Sequence, residues 1–384
     1  MATISRVLET FRTVETASRP QMTKRYHLTT VLLGMWIVLG MFLDATAHNN
    51  PDLVAVESFF SPWHAVFYSG FLTTSAWIAW PVLRNLRAGR TGLAAIPVGY
   101  DLGILGLAVF VAGAIGDMLW HTVFGLEAGT EALLSPTHAF IFLGCMLILT
   151  SPFRAAWATA GHDGDAPSLG AFLPTLLSIT FTISVVSFAF LYVWAFFPDQ
   201  HKMHLNFWWL LRDVAQPDTA TFKVMQDVTA RSTVGSILLS NLVVLAPILL
   251  MLRRWHLPFG SVTIFFMVTA VGFYELIPVA LIAGLAADGL IRVLRPSPNR
   301  LAALRVFAAL LPPVLWSLFF LALYIKLSLA WSPHVLAAYA KLSLAWSPEV
   351  LGGVLVWAGI SGFGLSVVIV PARVPEALTS QSRS

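Results

Sequence analysis

Apolar runs separated by short polar stretches set the pattern of the chain. Runs at about 27–43, 62–82, 97–120, 136–153, 171–196, 232–252, 303–325 and 351–370 recur along it. Each approaches the roughly 20 helical residues that cross a hydrocarbon core of about 30 Å. One further run, 258–291, carries Glu275 and Pro278 in its middle and is flanked by basic clusters, Arg253-Arg254 before it and Arg292, Arg295, Arg300 and Arg305 after it. A single span there would place the two clusters on opposite sides of the membrane. Two short helices turning near Glu275 keep both on one side, as the positive-inside rule asks. The pattern therefore predicts an all-α polytopic membrane bundle of about ten transmembrane helices, with nine as the alternative.

Composition agrees with that class. The chain is 57% hydrophobic and 11% charged, which leaves no room for a large soluble domain. The net charge of +4 resides in short flanks between apolar runs, so it argues for a lipid bilayer as partner and not for nucleic acid. The single cysteine, Cys145, lies inside an apolar run; an intrachain disulfide is excluded and a thiolate metal site disfavoured. Arg6, Arg12, Arg19, Lys24 and Arg25 make residues 1–26 a basic lead-in, which places the N-terminus in the cytoplasm of a multi-pass protein of the inner (plasma) membrane. Ala45-Thr46-Ala47 resembles a signal-peptide cleavage site, but the same Asp-x3-His ending closes the third apolar run, where nothing is cleaved.

That ending belongs to a stretch that occurs twice. Residues 44–64 read DATAHNNPDLVAVESFFSPWH and residues 117–138 read DMLWHTVFGLEAGTEALLSPTH. Asp44-x3-His48 matches Asp117-x3-His121, and Glu57-x3-Ser61-Pro62-x-His64 matches Glu131-x3-Ser135-Pro136-x-His138. Only the connector differs, by one residue. Acidic and imidazole side chains are costly near a bilayer and mark sites there. The organisation that follows is a cytoplasmic segment 1–26, a duplicated two-helix metal-site module 27–154, further transmembrane helices over 155–372 with an outer loop at 197–231, and a polar tail 373–384.

The repeated residues carry a definite chemistry. Positions i and i+4 share a helix face, so Asp44 and His48 project together, as do Asp117 and His121. Ser-Pro is a helix-start signal, with serine as N-cap and proline at the first helical position. Ser61 and Ser135 then cap the return helices and put His64 and His138 in their first turns. A helix N-terminus disfavours imidazolium, which keeps these histidines neutral, as metal ligation requires. Asp44, His48, His64, Asp117, His121 and His138 are the candidate metal ligands. Glu57 and Glu131 are candidates to orient a histidine ring or to transfer protons. Imidazole with carboxylate suits copper, iron or zinc.

Other features are read as structural. His201-x2-His204 lies in the outer loop beside Trp208-Trp209, where a solvated pair and an interfacial helix suffice. YIKLSLAWSPHVLAA (324–338) and YAKLSLAWSPEVLGG (339–353) form a local tandem duplication in which Glu349 replaces His334. Asp101, Asp288, His27, His162 and His256 read as flanks of the cytoplasmic ends.

Asp-x3-His, an outer connector, then Ser-Pro-x-His leading into an apolar helix resembles the intramembrane copper-site motif of the C subunit of particulate methane and ammonia monooxygenases. The resemblance covers about 20 residues per copy. It implies copper held by Asp44, His48 and His64, with Asp117, His121 and His138 as a second set. The motif here is duplicated, and its second histidine lies farther from the first. The SPTH and GLAADGL stretches also resemble uncharacterised bacterial polytopic membrane proteins, a likeness that implies no activity.

Three functions fit the residues. One is a copper- or iron-dependent membrane oxidase or monooxygenase-like protein drawing electrons from a donor partner, since the chain shows no haem, flavin or nucleotide motif. The second is a copper-handling transporter or assembly factor serving a cuproenzyme partner. The third is a zinc-dependent membrane lipid hydrolase with a glutamate as base.

Overall fold

In the computed structural model, the described residues are 18–48, 61–125, 130–159, 166–196, 220–330 and 348–372. They are helical throughout, and the sole bridge between extended residues pairs Ser297 with Arg300. Nine helices among them are long and apolar enough to cross a membrane. The protein is an all-α, multi-pass bundle. Glu57, the His201/His204 pair, most of the 324–353 duplication and the polar tail lie outside the described residues, as does the side chain of His48.

The chain divides into two compact units, one made of residues 1–161 with 168–192 and the other of 162–167 with 193–384. The first contains α1 (Lys24–His48), α2 (Pro62–Arg87), α3 (Asp101–Phe124), the single turn α4 (Thr130–Leu134), α5 (Pro136–Leu149), α6 (Ser151–Thr159) and α7 (Leu169–Ala189). Helix α1 runs unbroken through Ala45–Ala47 and packs on α2; α3 packs on α5. Helices α5 and α6 form one apolar span with a break at Thr150. Pro152 explains the break, because its ring cannot donate to the carbonyl one turn back and crowds it. Ser178 of α7 repairs the gap: its Oγ accepts from Phe153 N–H (3.0 Å) and donates to the Leu149 carbonyl (2.5 Å).

Away from the repeated stretch, a buried polar network ties α1, α2 and the start of α3 together. The hydroxyl of Tyr100 lies 2.9 Å from His27 Nδ1 and 3.2 Å from Thr30 Oγ1, and Trp77 Nε1 donates to Thr30 Oγ1 (3.1 Å). Arg19 donates to the carbonyls of Ile96 and Pro97 (both 3.1 Å) and pairs with Asp101 at 3.4 Å.

The second unit contains α8 (Ala220–Arg254), α9 (Ser261–Thr269), α10 (Ile277–Leu294), α11 (Leu301–Ala330) and α12 (Pro348–Ile369). Trp316, Phe319, Ile237, Val354 and Ala358 form its core. Asn241 is satisfied within it by the Ala358 carbonyl (3.2 Å) and Ser361 Oγ (2.8 Å). The run with Glu275 is a helical hairpin. The nine-residue α9 packs along α10, with a 3₁₀ turn Val271–Leu276 between them that carries Glu275. Its first arm is too short to cross alone, which is why the count of spanning helices among the described residues is nine, the alternative count. Gly284 permits the close approach: a Cβ there would lie 2.5 Å from Thr263 Cα.

Candidate metal centre

Helix α3 presents Asp117 and His121 one turn apart at the end that carries the repeated stretch, and α5 presents His138 in its first turn. Asp117 is 1% exposed. Its Oδ1 lies 3.2 Å from His138 Nε2 and its Oδ2 lies 3.5 Å from His121 Nε2. One donor atom from each residue falls within 4.8 Å of the other two. Among the described residues this is the one group of three or more His, Cys, Asp or Glu side chains close enough to share an ion.

The outer ring nitrogens decide the electrostatics. His121 Nδ1 lies 3.1 Å from the Gly125 carbonyl, and His138 Nδ1 lies 2.6 Å from the Ala132 carbonyl. A carbonyl only accepts, so both Nδ1 atoms carry the proton. With the proton on Nδ1, each ring in its neutral form would turn the Nε2 lone pair toward the carboxylate. Three acceptors facing one another in a buried place repel unless a cation, either a proton or a metal ion, sits among them.

The two separations, made to different oxygens of Asp117, exceed a charge-assisted hydrogen bond and leave room for an ion among the donors. A tetrahedral ion with bonds of about 2.0–2.1 Å holds its ligand atoms about 3.3 Å apart. A charge-assisted N–H···O bond would draw the pairs to about 2.7–2.9 Å. Histidines that ligate metals through Nε2 commonly donate Nδ1–H to a carbonyl, as both do here.

Local structure explains how the chain makes this arrangement. Gly125 ends α3 at φ 85°, a conformation that favours glycine, and its N–H returns to the His121 carbonyl while its own carbonyl reaches the His121 ring. The single turn α4 supplies the Ala132 carbonyl to His138. Thr137 donates its hydroxyl to Asp117 Oδ1 (2.9 Å) and therefore accepts from Ser135 Oγ (2.9 Å). Ser135 occupies the N-cap position without making the side-chain cap bond expected of it, and its hydroxyl instead donates to Thr137.

The first copy is built differently. Asp44 Oδ2 lies 3.6 Å from His64 Nε2. Ser61 does cap α2, accepting from His64 N–H at 3.1 Å, and its Oγ lies 3.0 Å from His64 Nδ1. A hydroxyl both donates and accepts, so this ring's tautomer is not imposed. Asp44 and His64 lie outside the Asp117 cluster, and Tyr68 stacks beside His64. Glu131 is exposed on α4 and is not a member of the cluster either.

Two features escaped the sequence reading. Thr137 is one; the first copy has Trp63 at that place, and the substitution of a donor for an indole was visible. The other is a set of matched glycines. Gly40 and Gly113 precede Asp44 and Asp117 by one turn, while Gly70 and Gly144 follow His64 and His138 by six residues. A Cβ on Gly40 would lie 2.7 Å from Phe67 Cα, and on Gly113 2.8 Å from Ile141 N. On Gly70 it would meet Ile37 N at 3.0 Å, and on Gly144 it would meet Phe110 Cα at 2.8 Å. These contacts let the backbones approach closely enough for an aspartate on one helix to reach a histidine on the next.

The chain matches no family model, no curated protein and no solved structure.

Proposed function

We propose that the chain is an integral membrane metalloprotein in which Asp117, His121 and His138 hold one transition-metal ion, copper in the first instance. The observation that carries this reading is the convergence of two Nε2 atoms, on rings held by carbonyls at Nδ1, on a buried carboxylate at 3.2 and 3.5 Å. Two imidazoles and one carboxylate leave coordination positions open. A copper or iron ion there would supply one-electron chemistry with a small or apolar substrate, its electrons coming from a donor partner. The chain's own contribution is to fix both ring tautomers, orient the carboxylate through Thr137 and exclude water from Asp117.

The same donors suit reversible copper handling, and His138, whose side chain is 21% exposed, gives the site a solvent-facing edge that favours ion entry. For the zinc-hydrolase reading, Glu131 is exposed and outside the cluster, which leaves Glu57 as its candidate base. Asp44, His48 and His64 are proposed as a second set of ligands.

Metal content of the purified, detergent-solubilised chain tests the proposal. Near-stoichiometric copper or iron is expected, lost in a His121→Ala/His138→Ala variant that still elutes as the folded protein. Bound Cu(II) is expected to give an electron paramagnetic resonance spectrum with hyperfine coupling to two nitrogens. Metal retained at the full wild-type level in the variant, or none in the wild type under loading, overturns it.

A further inference from the structure

We propose that the second unit binds an anionic phospholipid through its headgroup phosphate, in a cavity between the end of α8, the end of α10 and the connector to α11. The cavity has a volume of about 530 Å³. Arg292, Arg295, Arg300 and His256 line it, together with Phe259 and Asp288. This proposal does not depend on the metal centre.

The charge of the lining is unbalanced for a local reason. Asp288 is 2% exposed and turned away from the arginines toward the start of α9. Its Oδ1 accepts from Val262 N–H (3.1 Å), and its Oδ2 accepts from Thr263 N–H (3.0 Å) and the Thr263 hydroxyl (2.6 Å). The carboxylate caps the short arm of the hairpin, where a helix N-terminus leaves unpaired donors. It is therefore committed to the fold and does not pair with the cations.

Neighbouring arginines show what a structurally committed guanidinium looks like in this unit. Arg253 donates to the Ile369 carbonyl, and Arg305 to the Ser366 and Val370 carbonyls, closing the end of α12. Arg292, Arg295 and Arg300 have no side-chain hydrogen bond or ion pair among the described residues, and all three are exposed. Arg295 is moreover the one non-glycine residue with positive φ among the described residues, at φ 50°. Glycine or asparagine is the usual occupant of that helix-ending conformation, so an arginine is kept there against backbone preference. The connector around it is well built: Pro296 and Ser297 are buried, and Arg300 N–H donates to the Ser297 carbonyl.

The occupant's chemistry follows from what surrounds the cations. Three guanidiniums converging from a helix end and a tight turn match the oxygens of a phosphate. Phe259 on the cavity wall is 54% exposed, and Val293, adjacent to Arg292, is 79% exposed. Apolar surface of this kind beside a phosphate site suits an acyl chain, and α10, which carries Val293, is of membrane-spanning character. Basic pockets at the ends of transmembrane helices take anionic headgroups for the same reason.

Native mass spectrometry of the full chain in detergent tests this, titrating dioleoylphosphatidylglycerol against dioleoylphosphatidylcholine. The glycerol lipid is expected to bind at least about tenfold more tightly, with about five-fold lost for each guanidinium removed. In R292Q/R295Q/R300Q the preference should disappear, whereas R292K/R295K/R300K should keep most of it. R84Q/R87Q, which removes two exposed arginines of the first unit, should keep all of it. Should the triple glutamine variant not elute as a single species, Arg295→Gln alone is expected to show the five-fold loss. Equal binding of the two lipids by the wild type overturns the proposal, as does a preference that survives in the glutamine variants. Full displacement of the lipid by an equal concentration of inorganic phosphate overturns it as well, by making the ligand a free anion.

Discussion

The two copies of the Asp/His stretch share nearly the same residues and make different sites. In the second, one carboxylate faces two histidines whose outer nitrogens are fixed by carbonyls, and a threonine hydroxyl orients it. In the first, Asp44 lies 3.6 Å from His64, and the serine that caps the helix also holds the ring. The scaffolds nonetheless agree, since matched glycines bring α1 to α2 and α3 to α5 at corresponding places. Packing is thus common to the copies, while the groups around the ligands differ, with Trp63 standing where the second copy has Thr137. The lesson is that matched ligands do not make matched sites unless the groups that orient them match too.

The largest effect that separates the copies is expected at the carboxylates. Asp117→Ala should weaken metal binding by more than about 100-fold, since it removes a ligand and not only an outer partner. Asp44→Ala should leave the metal held by the second set in place. Metal analysis of both purified variants reads this directly, and equal losses would mean the copies form one shared site.

Packing should respond alike in the two copies. Gly113→Ala and Gly40→Ala each press a methyl against the facing backbone, at 2.8 Å from Ile141 N and 2.7 Å from Phe67 Cα. Each should cost about 1–3 kcal/mol, seen as a lower thermal midpoint in detergent. A loss in one copy alone would show that the scaffolds are not equivalent.

Thr137→Val keeps the shape of the side chain and removes the hydroxyl donated to Asp117. Metal affinity should fall about tenfold, as for other partners that orient a ligand. Trp63→Val should not change affinity at the second set; titration with a competing chelator distinguishes the two.

The smallest contrast lies at the caps. Ser61→Ala removes a real N-cap and should cost about 1 kcal/mol. Ser135→Ala removes no cap bond and should cost less in stability, its effect appearing in metal affinity through Thr137. Thermal unfolding of the pair in one detergent measures the difference.

Much of this architecture is legible along the chain. Apolar runs near 20 residues form helices in lipid because no other partner exists there for their backbone groups. The helical class and the spans follow from that constraint, and the hairpin at Glu275 follows from the basic clusters that flank it. The i, i+4 spacing of Asp117 and His121 and the placing of His138 in a first turn follow from helix geometry and Ser-Pro. What the linear pattern does not carry is what lies across from a side chain. Whether a second histidine reaches the aspartate depends on helix separation, which glycine contacts between distant residues decide. Which tautomer a ring adopts depends on a carbonyl delivered by Gly125 or Ala132. Asp288 reads as a flanking acid by position, yet tertiary packing points it at the start of α9 and leaves three arginines without an acid. Local periodicity is a property of neighbours in sequence, whereas charge balance and ligand geometry are properties of neighbours in space. The sequence by itself therefore determined a helical membrane bundle and its candidate ligands, and only the tertiary structure decided which of them converge.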